Sequence, residues 1–206
     1  MEFEFKGIQK EVHDWIGQHE SGYWGIYQNF TYSVEELGEV SREINHLYGV
    51  KKKKEDEKES SLGMELVDVI FAVVCMANSH SINLSEEWQK MFATKINGME
   101  FEFKGIQKEV DDWIGQYESG YLGTYVNLTH LMVKLGDVAR EINHLYSPKK
   151  KKEDEKESTL GKKLVDVIFS VACIANSHSI NLSEEWQEMF ASKMNGRDKD
   201  RFKKKS

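Results

Sequence analysis

Residues 65–77 read ELVDVIFAVVCMA, from Glu65 to Ala77. Beyond Glu65, every side chain but Asp68 is apolar, on nearly every side of a helix. The pattern predicts a helix at the centre of an all-α bundle. Asp68 is then a carboxylate inside the most buried helix, where an isolated charge is costly and demands a partner. Glu65 precedes it by three residues and projects from the same side. Upstream, Glu36-Leu37-Gly38-Glu39 repeats the spacing. Twenty-five residues separate Glu39 from Glu65, enough for one helix to end and a second to return beside it. Packed side by side, the two helices bring Glu36, Glu39, Glu65 and Asp68 together. Four converging carboxylates repel one another unless a cation sits among them. A ligand set made only of oxygens suits a hard divalent ion, Mg²⁺ or Mn²⁺.

The flanking pattern is helical as well. Phe5, Ile8, Val12, Trp15 and Ile16 recur at spacings of three and four, predicting an amphipathic helix from Phe3 to Ser21. A second helix is expected from about Gly25 to Tyr48, with Phe30, Val34, Leu37, Val40, Ile44 and Leu47 inward and Gly49 as its stop. Lys51 to Ser60 is KKKKEDEKES, without an apolar residue, and reads as an exposed, solvated loop. Ser60 or Ser61 caps the third helix, which runs to about His80. Ser85 caps a short fourth helix with Trp88, Met91 and Phe92 on its inner face.

This four-helix unit occurs twice. Residues 1–98 and 99–196 align without a gap, and 24 of the 98 aligned positions differ. A period that long is a duplicated small domain, not a solenoid repeat. The expected organisation is two four-helix units, 1–98 and 99–196, packed as a pseudo-dimeric helical bundle, with a basic tail over 197–206. Helices this apolar in units this small bury part of their surface against another copy.

Composition narrows the function. One proline in 206 residues, 31% charged residues and 39% hydrophobic residues indicate a charge-rich, helical, globular chain. The net charge of −7 argues against general nucleic-acid binding. The apolar run from Val67 to Ala77 is too short to cross a bilayer. No signal peptide or lipidation motif opens the sequence, so a cytoplasmic location is expected. The Asn-x-Ser/Thr matches carry no weight without such a signal. Cys75 and Cys173 stand at equivalent positions in the apolar runs and read as buried free thiols.

The motif pairs, together with Arg42-Glu43-Ile44-Asn45-His46-Leu47-Tyr48-Gly49, the lysine run, Val69-Ile70-Phe71 and the ending Arg197-Asp198-Lys199-Asp200-Arg201-Phe202, resemble the MazG-like all-α nucleoside triphosphate pyrophosphohydrolases. The likeness is strongest to their small single-domain bacillus-type members and covers essentially all of each copy. The resemblance implies hydrolysis of a nucleoside triphosphate between the α and β phosphates, giving a monophosphate and pyrophosphate, in the service of nucleotide-pool clearing. It implies Glu36, Glu39, Glu65 and Asp68 as Mg²⁺ ligands, and Lys95 and Asn97 as phosphate contacts (Lys193 and Asn195 in the second copy). It also implies a homo-oligomer, here a dimer of the two-repeat chain. Glu35 faces away from Glu36 and reads as a surface or supporting residue. Among aromatic candidates for stacking on a base, Trp15 and Trp88 recur as Trp113 and Trp186 and read as core. Tyr27 also recurs, whereas Trp24 becomes Leu122, which makes Trp24 the better candidate. His13 and His80 read as surface or capping residues.

The second copy departs at the motif. Glu36 corresponds to Lys134, Glu39 to Asp137 and Glu65 to Lys163, and only Asp68 keeps its type, as Asp166. The formal charge of the four positions goes from −4 to zero, so they can pair with one another and need no metal. The expectation is one competent site per chain, in the first copy, to which the second copy could lend Arg197. A non-catalytic nucleotide-binding or interaction module is the alternative from another class. It leaves the four intact carboxylates of the first copy unexplained, as a purely structural helical assembly leaves Asp68.

Overall fold

A computed structural model of the chain describes residues 6–54, 60–92, 102–148, 150–151, 158–197 and 201–205, without the side chains of residues 193, 195 and 197. The described residues form helices and no strand. The first repeat carries α1 (Gly7–Gly17), α2 (Ile26–Tyr48), α3 (Leu62–Ser79) and α4 (Leu84–Phe92). The second carries α5 (Phe103–Ile114), α6 (Thr124–Tyr146), α7 (Leu160–Ser177) and α8 (Leu182–Glu188), which runs on as a π-helical segment, Met189–Arg197.

The central position expected of residues 65–77 holds. Every residue of α3 from Glu65 to Asn78 is buried. α2 packs on α3 and α6 on α7; α3 also packs on α7, and α2 meets α6. As a whole helix of 18 residues, α3 is long and apolar enough to span a membrane, a longer element than its apolar run suggests. Here that surface is covered by protein instead.

The fourth helices are exchanged. α4 packs on α7 and α8 packs on α3, so each repeat's third helix is covered by the other repeat's fourth. The indole of Trp88 donates to Glu109 on α5, and Trp186 Nε1 donates to Glu11 on α1 at 2.7 Å. Phe92 packs on Phe169, and Phe190 and Trp186 pack on Phe71. Close approach needs a glycine at the start of each third helix. A Cβ on Gly63 would lie 2.3 Å from Glu185, and one on Gly161 2.8 Å from Glu87.

Several local expectations are corrected. The first helix begins at Gly7, and Phe3 and Phe5 lie outside the described residues. The fourth helix is capped by Asn83, whose Oδ1 accepts from the Glu86 amide at 3.2 Å, not by Ser85. Gly49 does stop α2 as expected, in extended backbone with φ −86° and ψ 177°, and Ser147 does the same for α6. The lysine run is not wholly solvated: Lys53 Nζ reaches the buried Glu43 carboxylate at 3.0 Å and donates to Ser60 O at 2.7 Å. Lys151 repeats this with Glu141 and Ser158. Cys75 and Cys173 are buried free thiols, as expected.

Candidate active site

Ser61 Oγ accepts from the Met64 amide at 3.0 Å and starts α3, so that Glu65 and Asp68 lie on its first two turns. Gly25 precedes α2, whose third turn carries Glu36. Packing of α2 along α3 then brings carboxylate oxygens of Glu36, Glu65 and Asp68 within 4.8 Å of one another. All three are buried, at 8%, 5% and 3% exposure. Glu39, one turn further along α2, pairs with Arg42 and stands apart from the trio.

Polar neighbours orient these acids. The Ser60 hydroxyl donates to Glu65. The half-buried Tyr32 hydroxyl hydrogen-bonds Glu36, and burial, aided by the Glu36 and Asp68 charges, pushes its pKa up. The phenol therefore stays a donor at any physiological pH. Burial likewise pushes the Cys75 thiol up, which keeps this neighbour from acting as a thiolate.

The trio opens on a cavity of about 750 Å³. Glu36, Glu39, Glu65 and Asp68 form one side of it, with Arg42 and Ser60 nearby. Trp15, Trp24 and Tyr32 form an aromatic wall, in which Trp24 stands edge-on to Tyr32 at 6.0 Å between centroids. Met194 and the tail residues Arg201 and Phe202 close it from the second repeat. A buried oxygen-only trio beside a polar-and-aromatic cavity can hold a divalent cation next to a phosphorylated, ring-bearing ligand.

Among the described residues, the second repeat builds no such trio. Lys163 Nζ lies 3.0 Å from Asp137 and 3.8 Å from Asp166, Lys134 Nζ lies 4.0 Å from Asp166, and Arg140 pairs with Asp137. Ion pairs here occupy the place that the acids hold in the first repeat.

The sequence pattern of the MazG nucleotide pyrophosphohydrolase domain matches residues 27–98. The uncharacterized protein YpjD of Bacillus subtilis (strain 168) is 42% identical over 102 residues, spanning 50% of this chain and 91% of YpjD. The chain belongs to the MazG nucleotide pyrophosphohydrolase family. The MazG-family solved structures it resembles include that of YpjD from Bacillus subtilis (37% identity, 44% of this chain, 93% of that one, TM-score 0.40). A second is the Bacillus-conserved MazG protein, described as a nucleotide pyrophosphohydrolase (38% identity, 48% and 94% coverage, TM-score 0.39).

Of the other residues singled out in the sequence, Trp24 lines the cavity. Trp15, read as core, both packs against Phe71 and lines the cavity. Glu35 is exposed at the cavity wall. His80 Nδ1 lies 2.9 Å from Met76 O at the end of α3, and His13 Nδ1 lies 3.2 Å from the Tyr23 hydroxyl. Lys95 and Asn97 lie outside the described residues, as do the side chains of Lys193, Asn195 and Arg197. Sequence reasoning missed Tyr32, Ser60, Arg42, Arg201 and Phe202. Tyr32 carried a signal, because it becomes His130 within the segment where the copies diverge most.

Proposed function

We propose that the first repeat of this MazG-family chain hydrolyses nucleoside triphosphates to a monophosphate and pyrophosphate, and that the reaction requires Mg²⁺. The observation that carries this is the contrast between two equivalent places in one chain. Glu36, Glu65 and Asp68 are gathered within 4.8 Å beside a cavity, whereas Lys134, Lys163, Asp137 and Asp166 pair among themselves.

The donor set fits a hard cation: three buried carboxylates, oxygen atoms only, with hydroxyl donors holding two of them. Glu36, Glu65 and Asp68 would hold the ion. When bound, a divalent cation neutralises phosphate charge and makes a water acidic enough to serve as nucleophile near neutral pH. Tyr32 and Ser60 each donate to a carboxylate and fix its direction, the supporting role that neighbours of metal ligands play. A carboxylate of the acidic group, with Glu39 the one that pairs with Arg42, takes the water's proton. Trp24 and Tyr32 offer ring faces and edges to the base, and their bodies exclude water from that wall. The ion-paired second repeat is assigned no turnover. Clearing surplus or non-standard nucleotides is the role that suits this reaction.

The test is pyrophosphate release over a panel of ribo- and deoxynucleoside triphosphates, with and without EDTA, on the native chain and on Glu39→Gln. The reading predicts turnover that EDTA abolishes and that Glu39→Gln lowers by about a hundredfold, within the range for loss of a general base. Activity that survives both would contradict it.

A further inference from the structure

The cavity has a wall that does not come from the first repeat. Residues 201–205, the end of the described chain, lie along the segment after α1. The Glu20 amide donates to Lys203 O at 2.9 Å, and the Lys205 amide donates to Gln18 O at 2.9 Å. Lys203 Nζ also reaches the Glu20 carboxylate at 2.8 Å. These bonds hold Phe202 against Trp15, His19 and Trp24, with ring centroids 5.8, 5.7 and 6.1 Å away. Arg201, beside it, lines the cavity that Glu36, Glu65 and Asp68 open on.

The arrangement is one-sided. Trp15 and His19 are 8% and 3% exposed under the strap, whereas their counterparts Trp113 and Tyr117 are 38% and 50% exposed. The chain itself sets this asymmetry. After Gly196 it continues as RDKDRFKKKS, but after Gly98 it continues into the second repeat, so the segment that carries Arg201 and Phe202 follows the second repeat alone. It lies on the groove beside the carboxylate trio.

We infer that Arg201 and Phe202 are substrate-binding and positioning residues of the first-repeat site, delivered to it by the second repeat. The guanidinium contacts the phosphate chain, where a charge-assisted bond is strong and bidentate geometry is available. The phenyl ring backs Trp24 and fixes it as the surface on which the base stacks. Through the strap, the ion-paired repeat carries the residues that complete its neighbour's site. The inference rests on the first-repeat site being a nucleotide site.

The full-length variants Arg201→Gln, Arg201→Lys and Phe202→Ala test it, each checked for an unchanged far-ultraviolet spectrum and thermal midpoint against native. The readouts are KM and kcat for a nucleoside triphosphate, and calorimetric Kd for an α,β-imido analogue with Mg²⁺. The expected result for Arg201→Gln is a rise of about tenfold or more in KM and in analogue Kd, the size of one lost charge-assisted hydrogen bond. Arg201→Lys should recover part of it. Phe202→Ala should weaken the analogue by about fivefold or more and alter the fluorescence change on binding, as Trp24 loses its backing. If Phe202→Ala lowers the thermal midpoint, Arg201→Gln, which removes no packed ring, decides alone. Native-like KM and Kd in Arg201→Gln overturn the inference while native turnover leaves the first-repeat reading intact. A native chain that binds the analogue without turnover refutes the hydrolytic reading and still tests the strap through Kd. A native chain that neither binds nor turns over overturns both.

Discussion

Protonation in and around the site is set by burial. Tyr32 and Cys75 both have their pKa pushed up, Tyr32 by desolvation with help from Glu36 and Asp68, and Cys75 by desolvation alone. Burial also pushes Tyr23, which hydrogen-bonds Asn78 in the first-repeat core, up to about 12. Each group keeps its proton in the folded state at a pH where the unfolded chain has released it. Stability is therefore unaffected below the unfolded values, near 9 for the thiol and 10 for the phenols, and falls as pH rises above them. Tyr32 and Cys75 each add a slope of up to about 1.4 kcal/mol per pH unit in that window, and Tyr23, half exposed and screened by solvent, adds less. Urea midpoints measured between pH 8 and 10.5 should decline with steepening slope, and Tyr32→Phe should remove part of the decline. A flat profile, or one unchanged in Tyr32→Phe, would contradict this.

At the scale of elements, the exchange of α4 and α8 decides what a single repeat can do. Without its neighbour, α3 would lose the cover that α7 and α8 provide and expose the apolar face carrying Phe71. An isolated chain of residues 1–98 is therefore expected to dimerise and exchange its fourth helices between copies. Light scattering should give twice the monomer mass, and a stable, folded monomer would contradict the exchanged packing. The helices were legible in the sequence because apolar periodicity and capping are local. Ser61, the apolar run after Glu65 and the three-residue acid spacing located α3 and its carboxylates. The exchange was not legible, because residues 84–89 and 182–187 are identical and their inner faces fit either repeat's third helix equally. The lysine run misled because charge patterning does not reveal a buried partner such as Glu43.

The whole molecule is a duplicated helical scaffold with two unlike halves. Three acids of the first-repeat site were readable as a cluster because they share helix faces on adjacent elements. Glu39 shares the face, lines the same cavity and pairs with Arg42 one turn on. Arg201 and Phe202 were beyond reach, since no local pattern ties a C-terminal phenylalanine to Trp15 and Trp24 some 180 residues earlier. The duplication supplies its own control. Asp68 and Asp166 are equivalent, on equivalent helices, with the same sequence on either side from Leu66 to Phe71 and Leu164 to Phe169. The most direct measurement is pyrophosphate release by Asp68→Asn and Asp166→Asn compared side by side. The account predicts a loss of about a hundredfold or more for Asp68→Asn, as befits a cation ligand, and near-native turnover for Asp166→Asn. Equal loss in both, or loss confined to Asp166→Asn, would contradict a single active site in the first repeat.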